Sequence, residues 1–278
     1  MNRMVPSPRP KIGVFDSGVG GLTVLRALLE RISNASYLYF GDTARLPYGS
    51  KSAATVAHYA VGAVRYLQDQ GAELLVIACN TATALALDEI KAAADVDVIG
   101  VVEPGAEAAV AASRKRKVVV IGTEATISSH AYRRALEARG VAVREKACPL
   151  FVPLVEEGWV EHPVTEQVAR IYLSEAFSED ARDADVLVLG CTHYPLIKPL
   201  LRRAAPEHVA IVDSAESTAQ DVARQLQIAP LPSSGASELR RVPQLKFFAT
   251  DSAEKFRKMG TRFLGLPVDD VLHVDLKE

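Results

Sequence analysis

Leu74-Leu75-Val76-Ile77-Ala78-Cys79-Asn80-Thr81 and Val186-Leu187-Val188-Leu189-Gly190-Cys191-Thr192-His193 decide how this chain reads. Each is a short apolar run that ends in a cysteine and passes into hydroxyl or amide residues. Apolar residues that run on without alternating predict parallel strands covered on both faces. Asn, Thr and Ser directly after such a strand favour helix caps and turns. Both segments therefore predict a buried strand that delivers a thiol to a strand-to-helix turn.

Outward from this pair, further β-branched runs predict strands at about 11–16, 36–41, 96–101, 117–122, 141–147, 208–212 and 244–249, besides 74–78 and 185–190. Helical patterns fall between them at about 22–32, 53–70, 83–93, 105–113, 131–138, 164–177 and 215–226. Alternation of this kind predicts doubly wound α/β architecture. The halves also resemble each other. Ile12-Gly13-Val14-Phe15-Asp16-Ser17-Gly18 and Val118-Val119-Val120-Ile121-Gly122-Thr123 each run into a small polar turn, and each precedes a cysteine strand by some sixty to seventy residues. We expect two pseudo-symmetric α/β domains with the active site in the cleft between them, at the carboxyl ends of their strands. The expected division is 1–98 with 213–278 for the first domain and 99–212 for the second. Residues 228–242, rich in Pro, Ser and Gly, read as a surface loop, and 271–276 as a final strand.

The chain has 278 residues, 49% hydrophobic and 24% charged, with a net charge of −2, the profile of an ordinary globular protein. No basic stripe argues for nucleic acid. The run Arg114-Lys115-Arg116-Lys117 directly precedes an apolar strand and reads as a solvated helix end. Three cysteines are too few for a disulfide framework and fit a reducing cytosol. No apolar stretch approaches the roughly 20 residues that span a bilayer, and a cytoplasmic location is expected.

Free cysteine is most often a small core residue. Repetition of the same strand-to-helix setting at Cys79 and Cys191 points instead to catalysis. A helix dipole there is expected to lower the thiol pKa from about 8.5. Two thiols facing one substrate suit removal of a proton from one face of a carbon and return of one to the other. Cys148, before Pro149, has no such setting and reads as structural. A metal site is not expected, because Cys191 and His193 lack further ligands at zinc spacing. Asp16 reads as a helix N-cap or as a carboxylate that receives an ammonium group or assists a thiol. The Asp16–Gly21 loop lacks the dinucleotide-binding glycine pattern, since Thr stands at position 23. Leu46-Pro47-Tyr48-Gly49-Ser50 is a rigid turn whose Tyr48 and Gly49 N–H groups suit a carboxylate. Glu156, after an apolar stretch, reads as a surface residue or as one that lines the cleft.

Four segments together resemble the glutamate racemases: Asp16-Ser17-Gly18-Val19-Gly20-Gly21-Leu22, Gly41-Asp42-Thr43-Ala44-Arg45-Leu46-Pro47-Tyr48-Gly49, Ala78-Cys79-Asn80-Thr81-Ala82-Thr83-Ala84 and Gly190-Cys191-Thr192-His193-Tyr194-Pro195-Leu196. The resemblance covers roughly residues 11–213 and is weakest after about residue 228. It implies interconversion of L- and D-glutamate without a cofactor, D-glutamate supply for peptidoglycan, and a homodimer. By the same resemblance, Cys79 is the base toward D-glutamate and Cys191 the base toward L-glutamate. Asp16, His193 and Glu156 would assist the thiols. Ser17, Tyr48, Gly49, Asn80, Thr81, Thr123 and Thr192 match substrate-binding positions.

Three other readings compete. An aspartate racemase of the same two-thiol type differs in pocket length. A thiol amidase with a Cys–His pair needs one nucleophile and leaves the second cysteine dispensable. A nucleotide-binding module is weakened by the broken glycine pattern.

Overall fold

The computed structural model describes residues 9–228 and 243–276. All strand pairings are parallel and fall into two sheets. The first contains β1 (Lys11–Asp16), β2 (Ser36–Gly41), β3 (Leu74–Ile77), β4 (Asp97–Gly100), β9 (Leu245–Ala249) and β10 (Val271–His273), in the order β10-β9-β2-β1-β3-β4. The second contains β5 (Lys117–Gly122), β6 (Ala142–Ala147), β7 (Val186–Gly190) and β8 (Ala210–Asp213), in the order β6-β5-β7-β8. The four-strand unit β2-β1-β3-β4 thus recurs as β6-β5-β7-β8, and the C-terminal strands extend only the first sheet. This is the internal repeat expected from sequence, in two doubly wound α/β domains.

The helices are α1 (Leu22–Arg31), α2 (Ala53–Asp69), α3 (Asn80–Ala93), α4 (Val102–Ala112), α5 (Glu124–Ser128), α6 (Ala131–Glu137), α7 (Phe151–Glu156), α8 (Pro163–Ala176), α9 (Lys198–Ala204), α10 (Ser214–Gln225) and α11 (Ala253–Leu264). Strand residues alternate between two apolar layers. Ile12, Val14 and Val76 join one core cluster, while Phe15, Leu75 and Ile77 face the other, beneath α2 and α3. In the second sheet Val119, Ile121 and Leu187 turn to the first of these clusters, and Val118, Val120 and Val186 to a third one. One apolar layer therefore runs continuously from one sheet to the other. It includes Leu22 and Leu25 of α1, Val222 of α10 and Phe263 of α11.

Several boundaries differ from expectation. α3 begins at Asn80 rather than near 83, and α4 at Val102 rather than near 105. The short helices α5, α7 and α9 had no periodic signal, since one or two turns do not reveal a 3.6-residue period. The last strand stops at His273, and the expected loop at 228–242 lies almost entirely outside the described residues. The basic run lies just past the end of α4. There Asp185 accepts the Arg114 and Lys115 N–H groups at 2.7 and 2.9 Å, and Lys117 pairs with Asp183 at 2.9 Å.

In both sheets the chain switches direction between the first strand and its third. That leaves a crevice outside the carboxyl ends of β1 and β3, and another outside β5 and β7. Asp16 and Gly122 end β1 and β5, Cys191 directly follows β7, and Cys79 stands two residues past the end of β3.

Candidate active site

Cys79 caps α3. Its Sγ accepts the Ala82 N–H at 3.4 Å and donates to Ser17 Oγ at 3.5 Å. It is only 5% exposed. The expected lowering of its pKa is not found. Burial pushes the thiol up, the Asp16 carboxylate adds to this, and together they carry it to about 12 against the opposing hydrogen bonds with Ser17 and Ala82. A dipole term of about 1 kcal/mol cannot offset loss of water around a buried thiolate.

Asp16 is 1% exposed at the end of β1. Its Oδ2 accepts the Gly18 N–H at 2.9 Å, and its Oδ1 is buried with no partner. Asp16 does not cap the following helix, whose N-cap residue is Gly21. Burial raises its pKa, and His193 and neighbouring N–H groups pull the other way. Its charge bears on Cys79 in its own domain and on His193 in the other.

Cys191 follows β7 and is likewise 5% exposed. Its Sγ lies 4.0 Å from His193 Nδ1, while His193 Nε2 lies 3.1 Å from Glu156 Oε1. Burial works against a charged imidazole here. Cys191 and Glu156, one on each ring nitrogen, outweigh it and push the His193 pKa up to about 10. Burial also acts against the Glu156 carboxylate, but the histidine holds its pKa below the usual value. Thr192 Oγ1 lies 3.5 Å from His193 Nδ1.

The two halves meet closely. A Cβ on Gly20 would fall 2.3 Å from Thr192 Oγ1 and 2.6 Å from His193 Nδ1, so the α1 turn seats directly against the Cys191 loop. Thr23 Oγ1 donates to the Thr192 carbonyl at 3.0 Å. Thr81 Oγ1 lies 3.1 Å from Thr123 Oγ1 and 3.3 Å from Thr126 Oγ1. The Cβ position of Gly49 lies 3.4 Å from Thr123 Cβ. These contacts join the sequence-predicted residues in three groups: Ser17 with Cys79; Thr81 and Gly49 with Thr123; and Cys191, Thr192 and Glu156 with His193, while the Asp16 charge bears on both Cys79 and His193.

Tyr48 and Asn80 are held by partners that sequence reasoning missed. The Tyr48 hydroxyl is buried and donates to Asp42 Oδ2 at 2.6 Å, so the side chain anchors its turn. Asp42 also accepts from Arg45 Nη1 at 2.9 Å and Thr250 Oγ1 at 2.8 Å. Tyr132 OH donates to Asn80 Oδ1 at 2.8 Å, which leaves Asn80 Nδ2 buried with no partner. No spacing in the sequence links Tyr132 to Asn80, or Thr250 to Asp42, because the pairs meet only in the tertiary fold. Among the described residues, no cluster of three His, Cys, Asp or Glu side chains is placed to hold a metal ion.

A repeated α/β unit with a thiol after the third strand of each copy defines a class. The chain belongs to the Asp/Glu/Hydantoin racemase family, which it matches over residues 12–222, and it is an isomerase of the racemase class. A glutamate racemase of Koribacter versatilis is 62% identical to it, over 96% of this chain and 98% of that protein. A glutamate racemase of Bacillus anthracis has a similar structure, with TM-score 0.87 and 37% identity over 97% of this chain and 99% of that one. The structure of a Francisella tularensis glutamate racemase in complex with D-glutamate gives TM-score 0.83 at 34% identity, over 97% and 98% of the two chains.

Proposed function

We propose that the protein interconverts L- and D-glutamate, with Cys79 and Cys191 as the two bases on opposite faces of the α-carbon and no cofactor. One observation carries the reading. Asp16, whose charge acts on Cys79, and Asn80, the residue that follows it, each hold a buried polar atom with no hydrogen-bond partner, the acceptor Oδ1 and the donor Nδ2. Unmet buried groups of this kind are costly unless a ligand completes them. An amino acid supplies an ammonium for the first and a carboxylate for the second. Ser17, Thr81, Thr123, Thr192 and the Tyr48 and Gly49 N–H groups complete the substrate-binding set, with the rigid Tyr48–Gly49 turn for the side-chain carboxylate.

In the L-to-D direction the Cys191 thiolate takes the α-proton. The C–H electron pair delocalises into the α-carboxylate, and the Cys79 thiol gives its proton to the opposite face. The product is D-glutamate, a Cys191 thiol and a Cys79 thiolate, and proton exchange with the assisting groups and solvent resets the pair. A Cys79 thiol that stays protonated to about pH 12 is suited to its part as donor. His193, protonated at neutral pH, gives Cys191 a positive neighbour. In the reverse direction an ammonium bound at Asp16 neutralises the carboxylate that holds the Cys79 proton in place. Helix-terminal N–H groups and the Thr81 and Thr192 hydroxyls stabilise the charge that develops on the α-carboxylate. Loss of one such donor costs on the order of 3 kcal/mol.

The same reading places the enzyme in the cytoplasm as a homodimer that supplies D-glutamate for peptidoglycan. Among the described residues no helix is long and apolar enough to cross a membrane. Cys79→Ala and Cys191→Ala, assayed separately with L- and D-glutamate, test the mechanism. Both should lose racemisation; retained racemisation in either overturns the two-base scheme. Full turnover of aspartate but not glutamate by the parent enzyme would move the substrate to the shorter acid.

A further inference from the structure

Glu156 reaches His193 from the last residue of α7, a helix of only six residues. Its side chain is about one-third exposed and so is not fixed by burial. Its backbone is held from outside. Arg262, on α11, donates from Nη1 to the Glu156 carbonyl at 3.0 Å and to the Val155 carbonyl at 3.3 Å. A cation at a helix C-terminus satisfies carbonyls that the helix itself leaves open. The seat for the guanidinium is built by Gly158. Its φ is +84°, and a Cβ there would lie 2.9 Å from both Nη1 and Nη2 of Arg262. The next residue of α11, the buried Phe263, sets its ring edge-on to the His193 imidazole with centroids 5.0 Å apart. Consecutive residues of one helix thus meet the backbone of the acid and the ring of the histidine. That helix packs on α1, in the domain that carries Cys79.

We propose that Arg262 is a positioning residue of the proton-transfer site. By fastening the Glu156 backbone it aims the carboxylate at His193, and so sets the imidazole beside Cys191. The assignment rests on the proposed function, with Glu156 and His193 acting on Cys191 as a relay from carboxylate through imidazole to thiol. It gives the C-terminal helix, which lies outside the four motif segments quoted above, a part in catalysis.

The test is a double-mutant cycle on kcat/KM with Arg262→Ala, Glu156→Gln and the combined variant, each checked for an unchanged thermal melt. Arg262→Ala should lower kcat/KM on the order of tenfold, mostly through kcat, as expected for loss of one positioning contact. Arg262→Lys, which keeps the charge without the planar fork, should recover part of this. On the Glu156→Gln background Arg262→Ala should cost nothing more. A full tenfold loss on that background would show Arg262 acting elsewhere and overturn the proposal while leaving the relay intact. An Arg262→Ala enzyme within twofold of the parent would overturn it as well. If Glu156→Gln alone leaves kcat/KM unchanged, the relay reading falls and takes this assignment with it.

Discussion

His193 Nε2 lies 3.1 Å from Glu156 Oε1, so the imidazole that faces Cys191 has a carboxylate behind it, and Cys191 and Glu156 together push its pKa up. With Glu156→Gln that support is lost, and kcat/KM should fall on the order of 10²-fold, the lower range for a positioned acid–base group. The basic limb of its pH profile should move to lower pH. Stability should follow the same linkage. The folded-state pKa of His193 is raised from 6.5 to about 10, so its contribution is full below pH 6.5 and is lost as pH rises through about 10. Glu156 is shifted below 4.5, so its own contribution is lost only as pH falls through that lower value. The stability gap between parent and variant should therefore be widest between about pH 4.5 and 6.5 and close toward pH 10, as denaturant titrations across that range would report.

Gly20→Ala should damage the enzyme through space alone. The added methyl would sit 2.3 Å from Thr192 Oγ1 and 2.6 Å from the His193 ring, both buried. Overpacking of this kind costs about 1–3 kcal/mol, and the displaced groups belong to the Cys191 loop. A drop in kcat/KM larger than the loss of stability accounts for is the expected result. Normal kinetics would mean that this contact opens in the working enzyme.

Cys79 should be slow toward iodoacetamide. A thiol pushed up to about 12 is almost wholly protonated at neutral pH, and the thiolate is the reactive species. The alkylation rate, followed by peptide mass analysis, should still be rising above pH 10. Asp16→Asn removes the carboxylate that helps hold the proton and should accelerate the reaction. A rate that levels off near pH 7 would contradict the assignment.

Tyr48→Phe removes a 2.6 Å hydrogen bond to buried Asp42 while Arg45 and Thr250 still hold that carboxylate. The cost to stability should be about 1–3 kcal/mol. KM should rise more than kcat falls, because the turn that carries Gly49 against Thr123 loses its anchor. Urea unfolding and steady-state kinetics on one preparation would separate the two effects.

Much of this was legible from Leu74–Thr81 and Val186–His193 alone. Apolar runs covered on both faces announce parallel strands, and the doubled thiol announces both the repeat and the place where ligands bind. Asp16, His193 and Glu156 could be nominated from their settings and from the family resemblance. Three things were out of reach. The Cys79 pKa depends on how deeply the thiol is buried and on its distance from Asp16, neither of which is written in a local pattern, and both act against the helix dipole. Tyr132, Thr250 and Arg262 act through contacts with residues far away in sequence. The helices α5 and α7 are too short for periodicity, although each presents a residue to the site.

The central claim is tested most directly by the fate of the α-proton. L-glutamate would be incubated with the enzyme in D2O without added cofactor, with inversion followed by circular dichroism and deuterium at the α-carbon by NMR of each enantiomer early in the reaction. Two bases on opposite faces predict decay of the dichroic signal, deuterium in the D-glutamate formed, and protium retained in the L-glutamate still unreacted. Deuterium entering unreacted L-glutamate as fast as D-glutamate appears would mean one base serving both faces, and a flat signal would contradict the account altogether.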